Sequence, residues 1–316
     1  MNNQRKLSNH VGDTKRLYSL DKEQLIEAIE KCVEFNLIDS IPVLTELLYH
    51  RDSEVVQSSI GALAFLSLQA DRKSAILIED KLNHIKESSN IEIRRSTYVA
   101  LSSILVFSPF SNILEIFHDG LVKEIDPICT AYILHGIKEI VDREDIFNTQ
   151  LLGKIVKEIN NKLKGLKDTH TVDEEIFFYS VLDISAHILV AIGVEENSLK
   201  TSVIRILDRF NKDYVPFPIR IRIGIGLYEL TEDISYLDEV CLSLVWELKD
   251  IDAYTYQIIL LALVLLDELP HLPLESELIS TLFKIKENIG RLTKPVDILI
   301  NKIMSINFKL EENLKL

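Results

Sequence analysis

Residues 39–68, DSIPVLTELLYHRDSEVVQSSIGALAFLSL, constrain the fold most, because they read as one complete antiparallel helical hairpin. Ile41, Leu44, Leu47 and Leu48 recur at helical spacing, and Val55, Ile60, Leu63 and Leu66 repeat the pattern more loosely. His50 to Ser53 between them is a short polar turn. Two amphipathic helices without a third partner leave their apolar faces wet, so such a unit requires a similar unit stacked upon it. The hairpin therefore predicts an array.

A second signal supplies the period. Ala62-Leu63, in the second helix of the hairpin, pairs a small residue that admits a neighbouring helix with a large one that fills the gap beside it. The same step recurs at Ala100-Leu101, Gly136-Ile137, Gly226-Leu227 and Ala262-Leu263, at intervals of 38, 36, 90 and 36 residues. The interval of 90 holds two longer units, and a period of about 36 to 50 residues is that of helical-hairpin arrays. Helices are expected near 22–36, 40–50, 53–69, 74–87, 90–107, 110–121, 126–142 and 149–165, and then near 173–192, 196–211, 217–231, 234–249, 252–269, 275–288 and 294–306. Asp21 with Gln24, Ser89 with Glu92, and Thr171 with Glu174 have the spacing of capping boxes, and Ser40-Ile41-Pro42 reads as another helix start. One segment conflicts with this pattern: Ile219, Ile221, Ile223 and Ile225 alternate as in a strand, while the repeat register makes them helical.

The acidic turn, Val-Arg and small-residue order of these second helices resembles HEAT and armadillo-type repeats. The residues that carry the likeness are Ser53-Glu54-Val55, Asn90-Ile91-Glu92-Ile93-Arg94 and Pro218-Ile219-Arg220, within a span of 39–304. The pattern departs from the family at Val56, where the usual arginine is missing, and between Glu175 and Ile192, where no small-large step is found. The resemblance implies an all-α fold, a right-handed α-solenoid of about seven helical hairpins, with second helices lining the concave side. Residues 1–20 form a polar N-terminal segment, and residues 21–316 one HEAT-like solenoid domain, with bends expected at 165–173 and 212–218. Arg94 and Arg220 sit where the family's arginine braces neighbouring repeats, which leaves Arg95 and Arg222 freer.

Composition narrows the partners. With 35 basic against 49 acidic residues, a formal charge of −14 repels a phosphate backbone, so nucleic acid and anionic membranes are poor partners and a basic protein is a complementary one. Three dispersed cysteines, Cys32, Cys129 and Cys241, read as free buried thiols rather than a disulfide framework. Residues 1–20 hold no apolar h-region, and the longest apolar run, Ile258 to Leu266, spans nine residues against the roughly 18 of a membrane helix. A cytoplasmic protein is the expectation.

Chemistry finds little purchase. His135 with Glu139 and Asp183 with His187 are i,i+4 pairs, but there is no HExxH and no cysteine cluster, so neither a metal nor another cofactor is expected. HEAT-like hydroxylases carry adjacent His-Glu motifs, and this sequence has no His-Glu dipeptide. HEAT-like DNA alkylation-repair glycosylases need a basic concave face with aromatics, whereas here the charge is acidic and Trp246 is the one tryptophan. Lys154, Lys157, Lys162, Lys164 and Lys167 make one basic helix, read as solvated or paired.

The expectation is a non-catalytic scaffold, adaptor or inhibitor that lays its concave face on a protein partner. A bacterial immunity-type neutraliser of a basic toxin is a specific form of it, and a HEAT-like enzyme is the alternative. The repeat register puts Arg95, Ser102, His135, Lys138, Tyr228 and Gln257 on the partner-binding surface.

Overall fold

The computed structural model describes residues 21–104, 113–142, 148–166, 172–211, 215, 217–236, 239–240, 275–288 and 290–313. Every regular element among them is helical. Two compact units divide the chain, Met1–Ile184 and Ser185–Leu316. The division falls within one continuous helix, Val172–Glu195.

The first unit begins with α1 (Lys22–Glu34). A 3-10 turn at Ile38–Ser40 leads into α2 (Ile41–Leu47), followed by α3 (Ser53–Ser67), α4 (Arg72–Ile85) and α5 (Ile91–Ile104). Next come α6 (Ile113–Lys123), α7 (Pro127–Val141), α8 (Thr149–Leu166) and α9 (Val172–Glu195). The second unit contains α10 (Asn197–Phe210), α11 (Phe217–Thr231), α12 (Glu275–Asn288) and α13 (Thr293–Asn313), with a 3-10 turn at Gly290–Leu292 before the last.

Helix starts follow side-chain chemistry. Asp21 accepts a hydrogen bond from the Gln24 N–H at 2.9 Å, as its capping spacing predicts. The expected Ser89 cap is displaced by one residue: Asn90 accepts from the Glu92 N–H at 2.9 Å, while Ser88 receives the Asn90 N–H. Ser40 caps nothing with its side chain; its hydroxyl donates to the Leu37 carbonyl, because the 3-10 turn already occupies the approach to α2. The expected Thr171 cap lies outside the described residues.

In the first unit the second helices form one layer, α1 on α3, α3 on α5 and α5 on α7. The first helices form the other, α2 beside α4 and α6 beside α8. The small-large steps lie between these layers: Ala62 and Ala100 are 2% exposed, and Leu63, Leu101 and Ile137 are wholly buried. Gly136 shows what the small residue is for, since a Cβ there would strike the ring of the fully buried Phe117 on α6. Burying a side chain of that size contributes about 2–3 kcal/mol, and glycine is what lets α6 approach closely enough to do it.

The alternating segment of the second unit is helical, within α11. Ile219, Ile221, Ile223 and Ile225 are all 5% exposed or less. Positions two apart on a helix point to widely different sides, so a helix enclosed on several sides can carry a strand-like alternation. Gly224 and Gly226 face Val240 and Val190 at distances that leave no room for a Cβ. The helices expected at 234–249 and 252–269 lie almost wholly outside the described residues, with Cys241, Trp246 and Gln257. Among the described residues no helix is long and apolar enough to cross a membrane.

Candidate partner-binding face

The layer formed by α3, α5 and α7 turns one row of side chains inward and another outward. Adding the sequence intervals of 38 and 36 to Gly61 gives Val99 and His135, and all three are exposed. The next row, Ala64, Ser102 and Lys138, is half-buried throughout. Val99 in the first row is 41% exposed, and two further apolar side chains are exposed nearby in sequence, Phe65 at 43% and Tyr132 at 37%. The described part of the face thus mixes exposed apolar side chains with the polar groups of Ser102, His135 and Lys138.

Each expected site residue in the first unit has a defined place on this face. Ser102 donates to the Tyr98 carbonyl at 2.9 Å and lies 3.3 Å from the Tyr132 carbonyl, which marks the close packing of α5 on α7. Lys138 Nζ pairs with Asp142, the C-cap of α7, at 2.5 Å. His135 is exposed on the same helix. Tyr228 is half-exposed on α11 in the second unit, and Gln257 lies outside the described residues.

Arg95 is less free than its sequence position implies. Its guanidinium grips Asp126 in a fork, Nε to Oδ1 at 3.2 Å and Nη2 to Oδ2 at 3.0 Å, and its Nη1 reaches Glu92 at 2.7 Å. Asp126 is buried and also caps α7, accepting from the Cys129 N–H at 2.8 Å. Burial alone would raise the Asp126 carboxyl, but the Arg95 and Cys129 hydrogen bonds outweigh it and hold the group below its ordinary range. Arg94 makes the parallel contact with Glu124, Nε to Oε2 at 2.9 Å and Nη2 to Oε1 at 3.2 Å, and its Nη1 donates to the Ser88 carbonyl at 3.0 Å. Glu124 is also held below its ordinary range: burial opposes this, and Arg94 with the Ile125 and Asp126 N–H groups prevails. Two bidentate forks therefore lock α5 to the turn before α7, setting the register of the face.

The sequence carried a signal for this that the repeat reading missed. Asp52, Asn90 and Asp126 cap α3, α5 and α7 in turn, and they are spaced 38 and 36 residues apart, the same ruler as the small-large steps. The arginine position of the ladder is not kept: its occupants are Val56, Arg94 and Thr130, and Val56 and Thr130 are buried. Packing at this position holds one interface and an ion pair the other. Of the basic helix, Lys162 turns inward to donate to the Glu124 carbonyl at 2.5 Å, whereas Lys154, Lys157 and Lys164 are exposed. Among the described residues no group of three metal-ligating side chains converges.

Comparison with solved structures identifies the architecture. The chain aligns with the Kap95 chain of a Kap95:Nup1 complex, a HEAT/armadillo-type repeat protein, at a TM-score of 0.64 and 12% identity. The alignment covers 90% of this chain and 38% of that one, so this chain spans well under half of Kap95. An engineered protein aligns over 92% of this chain and 77% of its own length, at 16% identity and a TM-score of 0.45. No protein-family model matches the sequence, and no curated protein matches it. The fold is all-α, of the helical-repeat solenoid class.

Proposed function

We propose that the chain is a non-catalytic protein-binding scaffold that receives a protein partner on the α3–α5–α7 face. The observation that carries this reading is the exposed, in-register row Gly61, Val99 and His135, with Phe65 and Tyr132 exposed nearby in sequence. Exposed apolar side chains set among polar ones suit a protein interface. Ser102, His135 and Lys138 supply the polar groups of the face, and Arg95 sets the face through Asp126 as well as bordering it. Tyr228, in the second unit, and Gln257, outside the described residues, are the remaining members of the expected set, and the proposed face is confined to the first unit. The acidic balance of −14 favours a basic partner, and neutralisation of a basic toxin is the specific form of that reading.

Affinity capture from the native cell, followed by quantitative binding of the captured partner, tests the face. Val99→Asp with Lys138→Glu is expected to weaken the partner at least about tenfold, since central interface residues carry most of the energy. Arg95 is left unaltered, because its removal disturbs the cap of α7 as well as the surface. Unchanged affinity in the double variant, with the fold intact by circular dichroism, refutes this face.

A further inference from the structure

The opposite layer of the first unit parts between two of its helices. α2 packs beside α4 and α6 beside α8, but α4 and α6 approach each other less closely than either pair. The gap is a groove of about 460 Å³ lined by Ile76, Glu79, Asp80, Asn83, Lys86, Glu115, Ile116 and Asp119. We propose that this groove docks a basic segment of a protein partner, seating an arginine or lysine side chain among its carboxylates.

The charge of the lining is one-sided, with four carboxylates against Lys86. Lys86 is already engaged: its side chain is 5% exposed and its Nζ lies 2.6 Å from Asp119, which also receives Lys123 at 3.2 Å. Those contacts satisfy Asp119. They leave Asp80 and Glu115 exposed on facing helices, α4 and α6, to meet an incoming cation. Asp80 lies 4.0 Å from the His84 Nδ1 on the same helix.

Two further features suit a long basic side chain rather than a bare ion. Ile76, 49% exposed, and Ile116 both line the groove, an apolar bed for an alkyl stem whose charged head remains among the carboxylates. Asn83 lines the groove with its Oδ1 buried and without a hydrogen-bond partner. An unmet buried acceptor is costly, and a small rotation of the amide toward a guanidinium or ammonium donor relieves it. A guanidinium offers five donors for this mixed set of acceptors. This surface is independent of the α3–α5–α7 face and lies on the other layer of the unit.

Fluorescence anisotropy with a labelled, end-capped peptide of alternating glycine and arginine tests the groove, with citrulline replacing arginine in a neutral control peptide. Asp80→Asn with Glu115→Gln is expected to weaken the arginine peptide about tenfold, and rising salt to weaken it further. Glu30→Gln with Glu34→Gln on α1 removes the same charge away from the groove and is expected to leave affinity within about twofold. Equal losses in both variants, equal binding of the citrulline peptide, or no binding at all would overturn the proposal. So would displacement of the arginine peptide by calcium at equimolar concentration, which would mark a divalent-cation site instead. The Val99→Asp/Lys138→Glu variant is expected to keep full peptide binding, so failure of one surface does not imply failure of the other.

Discussion

Replacing Arg94 by methionine isolates the charge that locks α5 to the turn before α7. The substitution keeps the alkyl stem and removes two hydrogen bonds to Glu124, at 2.9 and 3.2 Å, and one to the Ser88 carbonyl at 3.0 Å. Glu124 is left as a carboxylate 4% exposed, with only the Ile125 and Asp126 N–H groups as donors. Removing one partner of a buried ion pair costs about 3–5 kcal/mol. Arg94 is itself 17% exposed, so water reaches the vacated space and the lower end, about 3 kcal/mol, is expected. Urea unfolding of the full chain, followed by circular dichroism at pH 7 and pH 4, measures it. The sign with pH is fixed by Glu124, whose native pKa lies below its ordinary 4.5. Its pairing therefore stabilises the native state above that value and is lost as pH falls through the native pKa. In the variant, burial acts unopposed by Arg94 and raises the carboxyl, which protonates sooner, so the penalty shrinks at pH 4. Adding Glu124→Gln to Arg94→Met removes the stranded charge and is expected to restore stability to within about 1 kcal/mol of the parent. A penalty below about 1 kcal/mol, or one equally large at both pH values, would refute the electrostatic reasoning and assign the effect to packing.

Glycine substitutions are expected to act with opposite signs. Gly136→Ala drives a Cβ into the Phe117 ring and costs about 1–3 kcal/mol, whereas Gly61→Ala, with nothing within 4 Å, stabilises by about 0.5–1 kcal/mol; thermal unfolding reads both. Gly120→Ala belongs with Gly136, because its Cβ would lie 2.7 Å from the Tyr98 hydroxyl, and a melting temperature at or above the parent's counts against the close approach. In a Cys241→Ser background, Cys32 and Cys129 are expected to resist a thiol reagent in the native chain and react fully in urea; both are buried, and burial pushes both thiols up. Asp126→Ala removes both the cap of α7 and the Arg95 fork, so it should cost more than the typical 1 kcal/mol of a lost cap; an equal cost would mean that the fork contributes nothing.

Much of the fold was legible because helix periodicity and the small-large steps are local or near-local signals. Ala62-Leu63, Ala100-Leu101 and Gly136-Ile137 announce the repeat before any contact is known, and all lie in the core. The strand-like alternation of Ile219 to Ile225 was ambiguous for a physical reason: amphipathicity reports a helix with one wet side, and every isoleucine of this set is buried. The Ser89 cap was misplaced by one residue because Ser88, Ser89 and Asn90 are all competent acceptors, and only the path of the turn chooses among them.

By itself, then, the sequence determined the helical class and the 38 and 36 residue intervals. Those follow from where apolar side chains recur along the chain. Tertiary structure alone decided that Arg95 is clamped to Asp126, 31 residues away, and that α4 and α6 leave an acidic groove between them. Ion-pair partners and gaps between helices depend on how separate segments meet, and a charge reads the same in one dimension whether it is solvated or locked. The hairpin of residues 39–68 could therefore predict its neighbours, while the chemistry between neighbours had to be seen in three dimensions.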